Sequence, residues 1–290
     1  MPLRLAELST LRAVYRVLSV PALRRAGIRC ALSASWHFFY PQLRAALTPG
    51  RVPVTSVDHP LDQRVTFEPR RVKVYLTFIV FWIRAVAFLT ITYGRRAERA
   101  AADFVDAMGR LYAFADDVYA RNLSTTQRPR YFARPRFLLI HAFDPHLMCV
   151  PSLHVMVVIR TYTAFRSIVS RLGDAENSAP RIRELLDGAR EITETILFVK
   201  QHSINCIPAA LYAMTRFDYE LFDESEAERF TDSLFRDRSL APADGSALRE
   251  HIRSLYRQFI DAGRMSGEWQ TPLLDFLRAL PLKSAVRRRV

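Results

Sequence analysis

The sequence predicts an all-α, membrane-associated helical bundle, and three observations predict it. Half of the residues are hydrophobic while 24% are charged, so a large core coexists with a polar surface. Nine glycines in 290 residues and little strand-type alternation argue for helix nearly throughout. One stretch, Val74 to Tyr93, is apolar over twenty residues with a single charge at Arg84. As helix it measures about 30 Å, the thickness of the hydrocarbon layer.

Residues 1–48 read as two or three amphipathic helices, broken near Pro21 and ending before Pro49-Gly50. The aromatics Trp36, Phe38, Phe39 and Tyr40 cluster there, as an interfacial belt or as core, with core the expectation. A polar connector with four prolines follows at 49–69. Basic residues flank both ends of the 74–93 stretch, so the positive-inside rule assigns no orientation. Ala97 to Tyr119 is amphipathic helix, 121–136 an arginine-rich loop, and Phe137 to Met148 a short apolar stretch holding His141 and His146. Helix is expected over 152–172, where Arg160, Arg166 and Arg171 place it inside a bundle rather than against lipid. After a polar break at 173–180, one long helix is expected over 181–216. The chain then turns acidic at 218–227, with amphipathic helices near 245–262 and 268–279 and a basic Arg287-Arg288-Arg289 end, solvated or against anionic headgroups. These shifts divide the chain into an N-terminal helical part and connector (1–73), a core (74–216) and a polar C-terminal extension (217–290).

The formal net charge is +13, from 42 Lys and Arg against 29 Asp and Glu. Arginine outnumbers lysine, which suits bidentate recognition of phosphate. No basic stripe is interleaved with exposed aromatics, so nucleic acid is not the expected partner. Three cysteines exclude a disulfide framework. Charges at Arg4, Glu7, Arg12 and Arg16 interrupt the first apolar segment, and no cleavable signal peptide is expected.

The chemistry-bearing stretch is Cys149-Val150-Pro151-Ser152-Leu153-His154. Pro151 stops what precedes it and Ser152 is a natural N-cap. His154 therefore falls on the first turn of a helix, where free N–H groups and the dipole favour an anion. A second apolar helical run, Glu191 to Phe217, carries His202 in its middle. Upstream, Arg121 and Arg128 are seven residues apart on a loop of turn-formers, spaced to reach one tetrahedral anion.

Arg121 with Arg128-Pro129, then Pro151-Ser152-Leu153-His154, then His202 resemble the type 2 phosphatidic acid phosphatase superfamily. The first motif there is a basic residue, six residues, then Arg-Pro. The second is Pro-Ser-Gly-His, or Pro-Ser-Leu-His in the branch resembling inositol phosphorylceramide synthase. The third is Ser-Arg, five residues, His, three residues, Asp; here Ile196 stands at the arginine position and Cys206 at the aspartate position. The resemblance covers about residues 74–216. It implies a helical bundle of the phosphatidic acid phosphatase / vanadium haloperoxidase type acting on a lipid phosphate or diphosphate without a metal or other cofactor. His202 would be the nucleophile that forms a phosphohistidine, and His154 the acid and base. Arg121, Arg128 and Ser152 would hold the phosphate oxygens, and Lys200 would supply the charge of the missing arginine. It also implies a membrane location, with the site facing away from the cytoplasm.

Three alternatives remain open. Cys149, His154, His202 and Cys206 form a Cys-x4-His and His-x3-Cys pair that could ligate zinc. Asp116-Asp117 has a faint likeness to the aspartate-rich helix of magnesium-dependent prenyl diphosphate enzymes, with Asp218 and Asp223 as an unconvincing second set. The loss of the third motif's arginine and aspartate fits a non-catalytic, membrane-associated member of the same fold.

Overall fold

Helix forms where the apolar period is clearest. The computed structural model describes residues 4–5, 7–48, 50–129, 131–236 and 240–282 and is mostly helical, 72% helix and 3% strand. Helix α1 (Thr10–Ser19) opens on Ser9, whose side chain accepts from Arg12 N at 3.2 Å. Pro21 starts α2 (Pro21–Ala34), which runs through a π turn at Ser35–Phe39 into α3 (Tyr40–Leu47). Leu23, Ala26 and Cys30 turn α2 onto α6 (Arg95–Tyr119). Gly109 permits the close approach, since a Cβ there would stand 3.1 Å from Cys30 Cα. That packed side leaves Trp36, Phe39 and Tyr40 exposed and Phe38 half-buried, which corrects the expectation of a core cluster.

Helices α4 (Val72–Tyr75) and α5 (Phe78–Tyr93) fill the apolar stretch. Pro69–Tyr93 is the one helical segment among the described residues long and apolar enough to cross a membrane. Its later part, Ala85 to Thr90, is buried, and α5 packs against α1, α6 and α8 (Leu153–Arg171). Arg84 lines a cleft of about 450 Å³ together with Glu184, Asp187 and Glu191. Those carboxylates come from α9 (Ala175–Phe198).

The helix expected over 181–216 is two helices, α9 and α10 (Cys206–Phe217), with His202 in the break between them. Lys200 adopts φ 53°, its N–H bonds Leu197 O at 3.0 Å, and Gln201 N–H bonds Ile196 O at 3.0 Å. This pair of bonds is a Schellman ending with lysine where glycine is usual.

Helix α8 is almost wholly buried, as its arginines predict. Arg160 pairs with Asp218, and Arg166 with Glu226 of α11 (Glu224–Ser233). Helices α12 (Pro242–Met265) and α13 (Thr271–Ala279) follow, and α12 packs on α10. One cluster of buried side chains runs from Leu5 to Leu277, shared by all three expected stretches. Arg287, Arg288 and Arg289 lie outside the described residues.

Two three-residue strands join the connector to the arginine-rich loop: β1 (Val54–Ser56) pairs in parallel with β2 (Leu123–Thr125), Thr55 opposite Ser124. A short helix, α7 (Pro135–Phe143), leads from that loop into the extended segment before Pro151.

Candidate active site

The site is pinned from both sides by loops. Ser124 of β2 holds the segment before Pro151: its N–H donates to Leu147 O at 2.9 Å, and its Oγ accepts from Cys149 N at 3.1 Å and Val150 N at 2.8 Å. The Val150–Pro151 peptide is cis. Ser152 takes the N-cap position of α8 in extended geometry, but its buried Oγ makes no cap bond and has no hydrogen-bond partner. His154 then lies on the first turn, its ring stacked on Tyr75 (centroids 4.3 Å, planes 24° apart) and against Phe78 (4.2 Å).

His202 owes its position to the α9–α10 break. Asp62, in a 3-10 turn (Pro60–Arg64) of the connector, accepts from Ile204 N at 2.7 Å and His59 N at 2.8 Å. Lys200 Nζ donates to the carbonyls of Asp62 and Val65. The His202 ring thereby comes to 5.5 Å from His154 and 6.5 Å from His146, centroid to centroid. His154 Nε2 and His202 Nδ1 are both buried without a protein partner. The Cys149 backbone beside the His202 ring favours its protonated form slightly, against the larger effect of burial. Nδ1 is unpartnered, and in the tautomer protonated on Nε2 its lone pair is free.

A third histidine completes the cluster. His146 N–H donates to Asp144 Oδ1 at 2.8 Å, and its Nδ1 is 3.8 Å from Asp144 Oδ2. Its Nε2 meets Thr126 Oγ1 at 2.9 Å and Cys149 Sγ at 3.7 Å. Arg128 braces this chain, donating to Asp144 O at 3.0 Å and to Gln201 Oε1 at 3.2 Å.

The three imidazoles differ in charge. Burial, then the neighbouring histidine, pushes His154 and His202 down to about 3, so both are neutral at pH 7. Burial also pulls on His146, but Cys149 and Asp144 outweigh it and hold His146 at about 9. Burial raises Cys149, yet the Cys206 thiol and His146 more than offset this and hold it below the usual thiol range. These shifts favour the charged forms of Cys149 and His146 and the neutral forms of His154 and His202.

All three histidines line one cavity of about 40 Å³, with Asp144, Cys149, Tyr75, Phe78, Phe38 and Gln42 among its walls. At roughly 10–15 Å³ per water it has room for about three waters, the scale of a phosphate group. Arg121 and Arg128 do not converge as their spacing suggests. Arg121 is exposed and turns to Asp117 O (3.5 Å) and Glu268 (4.0 Å), while Arg128 stands behind the wall on Asp144 and Gln201. Lys200 is committed to connector carbonyls, and neither Lys200 nor Ser152 lines the cavity.

Residues that sequence reasoning passed over are Asp144, His146 and Asp62. The close spacing Asp144-x-His146-x2-Cys149, just before Pro151, was a usable signal for the first two; Asp62 carries none. Among the described residues, no group of three or more His, Cys, Asp or Glu is placed to hold a metal ion. Asp116 bonds His37 at 2.8 Å and Asp117 accepts from Trp269 Nε1 at 3.1 Å; Asp218 pairs with Arg160 and Asp223 caps α11. The carboxylates that a diphosphate–magnesium site would need are therefore each engaged elsewhere. Compared with protein-family models, curated proteins and solved structures, the chain matches none.

Proposed function

We propose that this chain transfers a phosphoryl group from a membrane lipid phosphate or diphosphate, to water or an alcohol, through a phosphohistidine on His202. One observation carries the reading: two neutral imidazoles from separate elements, His202 buried and His154 half-buried, meet in one phosphate-sized cavity, with His202 Nδ1 and His154 Nε2 both unpartnered. The Nδ1 lone pair attacks phosphorus as the bond to the lipid oxygen breaks. Burial keeps His154 neutral by itself, and a phosphate dianion beside it raises its proton affinity. His154 so protonated delivers the Nε2 proton to the leaving oxygen. Water or an alcohol then gives a proton to His154 as its oxygen displaces Nδ1 from phosphorus. The attack uses the His202 tautomer protonated on Nε2, whose Nδ1 has no protein partner. The His146 imidazolium stands in the cavity wall, where it offsets the Asp144 carboxylate and Cys149 sulfur, with Arg128 behind them.

The test is phosphate release from a panel of lipid phosphates and diphosphates in detergent, with EDTA present, comparing the parent chain with His202→Ala and Arg121→Ala. Turnover is expected to survive EDTA, to fall about 10³-fold in His202→Ala, and to stay within about threefold in Arg121→Ala, an exposed residue outside the cavity. A second reading, a lipid-phosphate-binding body without turnover, is favoured by the position of Arg121 away from the histidines. Binding of the panel by a folded parent that releases no phosphate would select it.

A further inference from the structure

The helices that precede the histidine site present a second apolar face that nothing among the described residues covers. Ten of the seventeen exposed large hydrophobics among the described residues fall between Leu11 and Leu47. In α1 they are Leu11, Tyr15 and Leu18; from α2 to α3 they are Ile28, Leu32, Trp36, Phe39, Tyr40, Leu43 and Leu47. Apart from the adjacent Phe39 and Tyr40 the spacing is three or four, so each set forms one stripe, opposite the stripe of Ala13 and Val17 or of Leu23, Ala26 and Cys30 that faces the bundle. Leu11 is 84% exposed, Leu47 72% and Trp36 65%. Trp36 stacks on Tyr40 at 5.3 Å, an aromatic pair with polar edges toward solvent.

Charge on these helices has one sign. From Leu8 to Val57 the chain contains seven arginines and no acidic residue. Arg12, Arg24, Arg25, Arg29, Arg44 and Arg51 are exposed beside the stripe, with Arg29 paired to Asp106 of α6. We infer that the α1–α3 face docks flat on an anionic phospholipid bilayer, the apolar stripe entering the headgroup boundary and the arginines meeting lipid phosphates. A second copy is the wrong occupant, because self-pairing would set arginines against arginines.

The same face borders the cavity. Phe38 and Gln42 line it while the adjoining Phe39 and Leu43 are exposed; across the cavity Tyr75 and Phe78 line it while Leu76 and Ile79 are exposed. Docking thus brings a lipid headgroup to the histidines without moving the chain across the membrane. Helix α5, packed among α1, α6 and α8 with Arg84 in a charged cleft, stays a bundle helix.

The test uses the full chain and flotation with vesicles of phosphatidylcholine alone or of phosphatidylcholine with phosphatidylglycerol, neither carrying a phosphomonoester. Vesicle binding is therefore read apart from turnover. The parent is expected to float with the anionic vesicles, less so as salt rises. The triple variant W36E/F39E/L43E should lose at least about tenfold in partitioning, and R24E/R25E about tenfold on anionic vesicles only. These side chains are exposed, so far-UV circular dichroism and the urea midpoint should be unchanged. Trp36 emission should shift to the blue on anionic vesicles. The inference is overturned if the triple variant floats as well as the parent or if salt and lipid charge have no effect. It is equally overturned by a dimer in free solution that the triple variant breaks, or by membrane retention through alkaline extraction that the triple variant keeps.

Discussion

His146 and His202 lie 6.5 Å apart and are shifted in opposite directions, because His146 meets Asp144 and Cys149 directly while burial dominates at His202. If the His146 imidazolium neutralises phosphate oxygens, turnover should fall as pH rises through about 9, where it loses its proton. His146→Gln keeps a donor but no charge. It should lower kcat/KM about 10²-fold and remove that alkaline limb. Cys149→Ser takes away the negative charge that raises His146, so the limb should move to lower pH. Retention of the limb in His146→Gln would assign it to another group. The spacing Asp144-x-His146-x2-Cys149 pointed to His146, but its contact with Thr126, twenty residues away, is one that only folding assembles.

At the level of elements, two small devices set the distance between the histidines. Ser124 Oγ is the sole acceptor shown for Cys149 N and Val150 N apart from its own carbonyl's bond to Cys149, so Ser124→Ala leaves a buried donor unmet. A cost of about 1–3 kcal/mol is expected in the urea midpoint, together with a fall in kcat larger than any change in KM. Asp62→Ala releases Ile204 N and should act likewise on the other side of the cavity; either variant with parental kcat would show that these loops do not set the spacing. Helices α6, α8 and α12 were legible because their apolar residues keep a helical period into a packed partner. The α9–α10 break was not, because its left-handed position is Lys200 rather than glycine and no proline follows. Trp36, Phe39 and Tyr40 misled for a related reason. Periodicity identifies an apolar face but not what covers it, and the packed side of α2 was already taken by smaller residues. The connector at 49–69, read as polar and proline-rich without a clear period, supplies β1, which pairs with β2, and Asp62, which acts on Ile204, 142 residues away.

For the molecule as a whole, burying two neutral histidines makes stability depend on pH with a definite sign. In the unfolded chain His154 and His202 titrate near 6.5, and in the folded chain near 3. Below pH 6.5 the unfolded state takes up protons that the folded state refuses, so stability falls, and the loss is complete only near pH 3. At pH 5 each histidine accounts for about 2 kcal/mol, a large part of the 5–15 kcal/mol typical of a folded domain. His146 works in the opposite sense. Its raised pKa contributes stability in full below about 6.5, and that contribution is lost as pH rises through about 9. The urea midpoint should therefore peak near neutral pH and fall on both sides. His154→Phe, placed between Tyr75 and Phe78, removes one of the two acid-side terms and should roughly halve the drop between pH 7 and pH 5. His146→Gln should flatten the alkaline side alone. A midpoint that stays level from pH 7 to pH 5 would mean that water reaches both imidazoles in the folded chain, and that burial is not what keeps the nucleophile neutral.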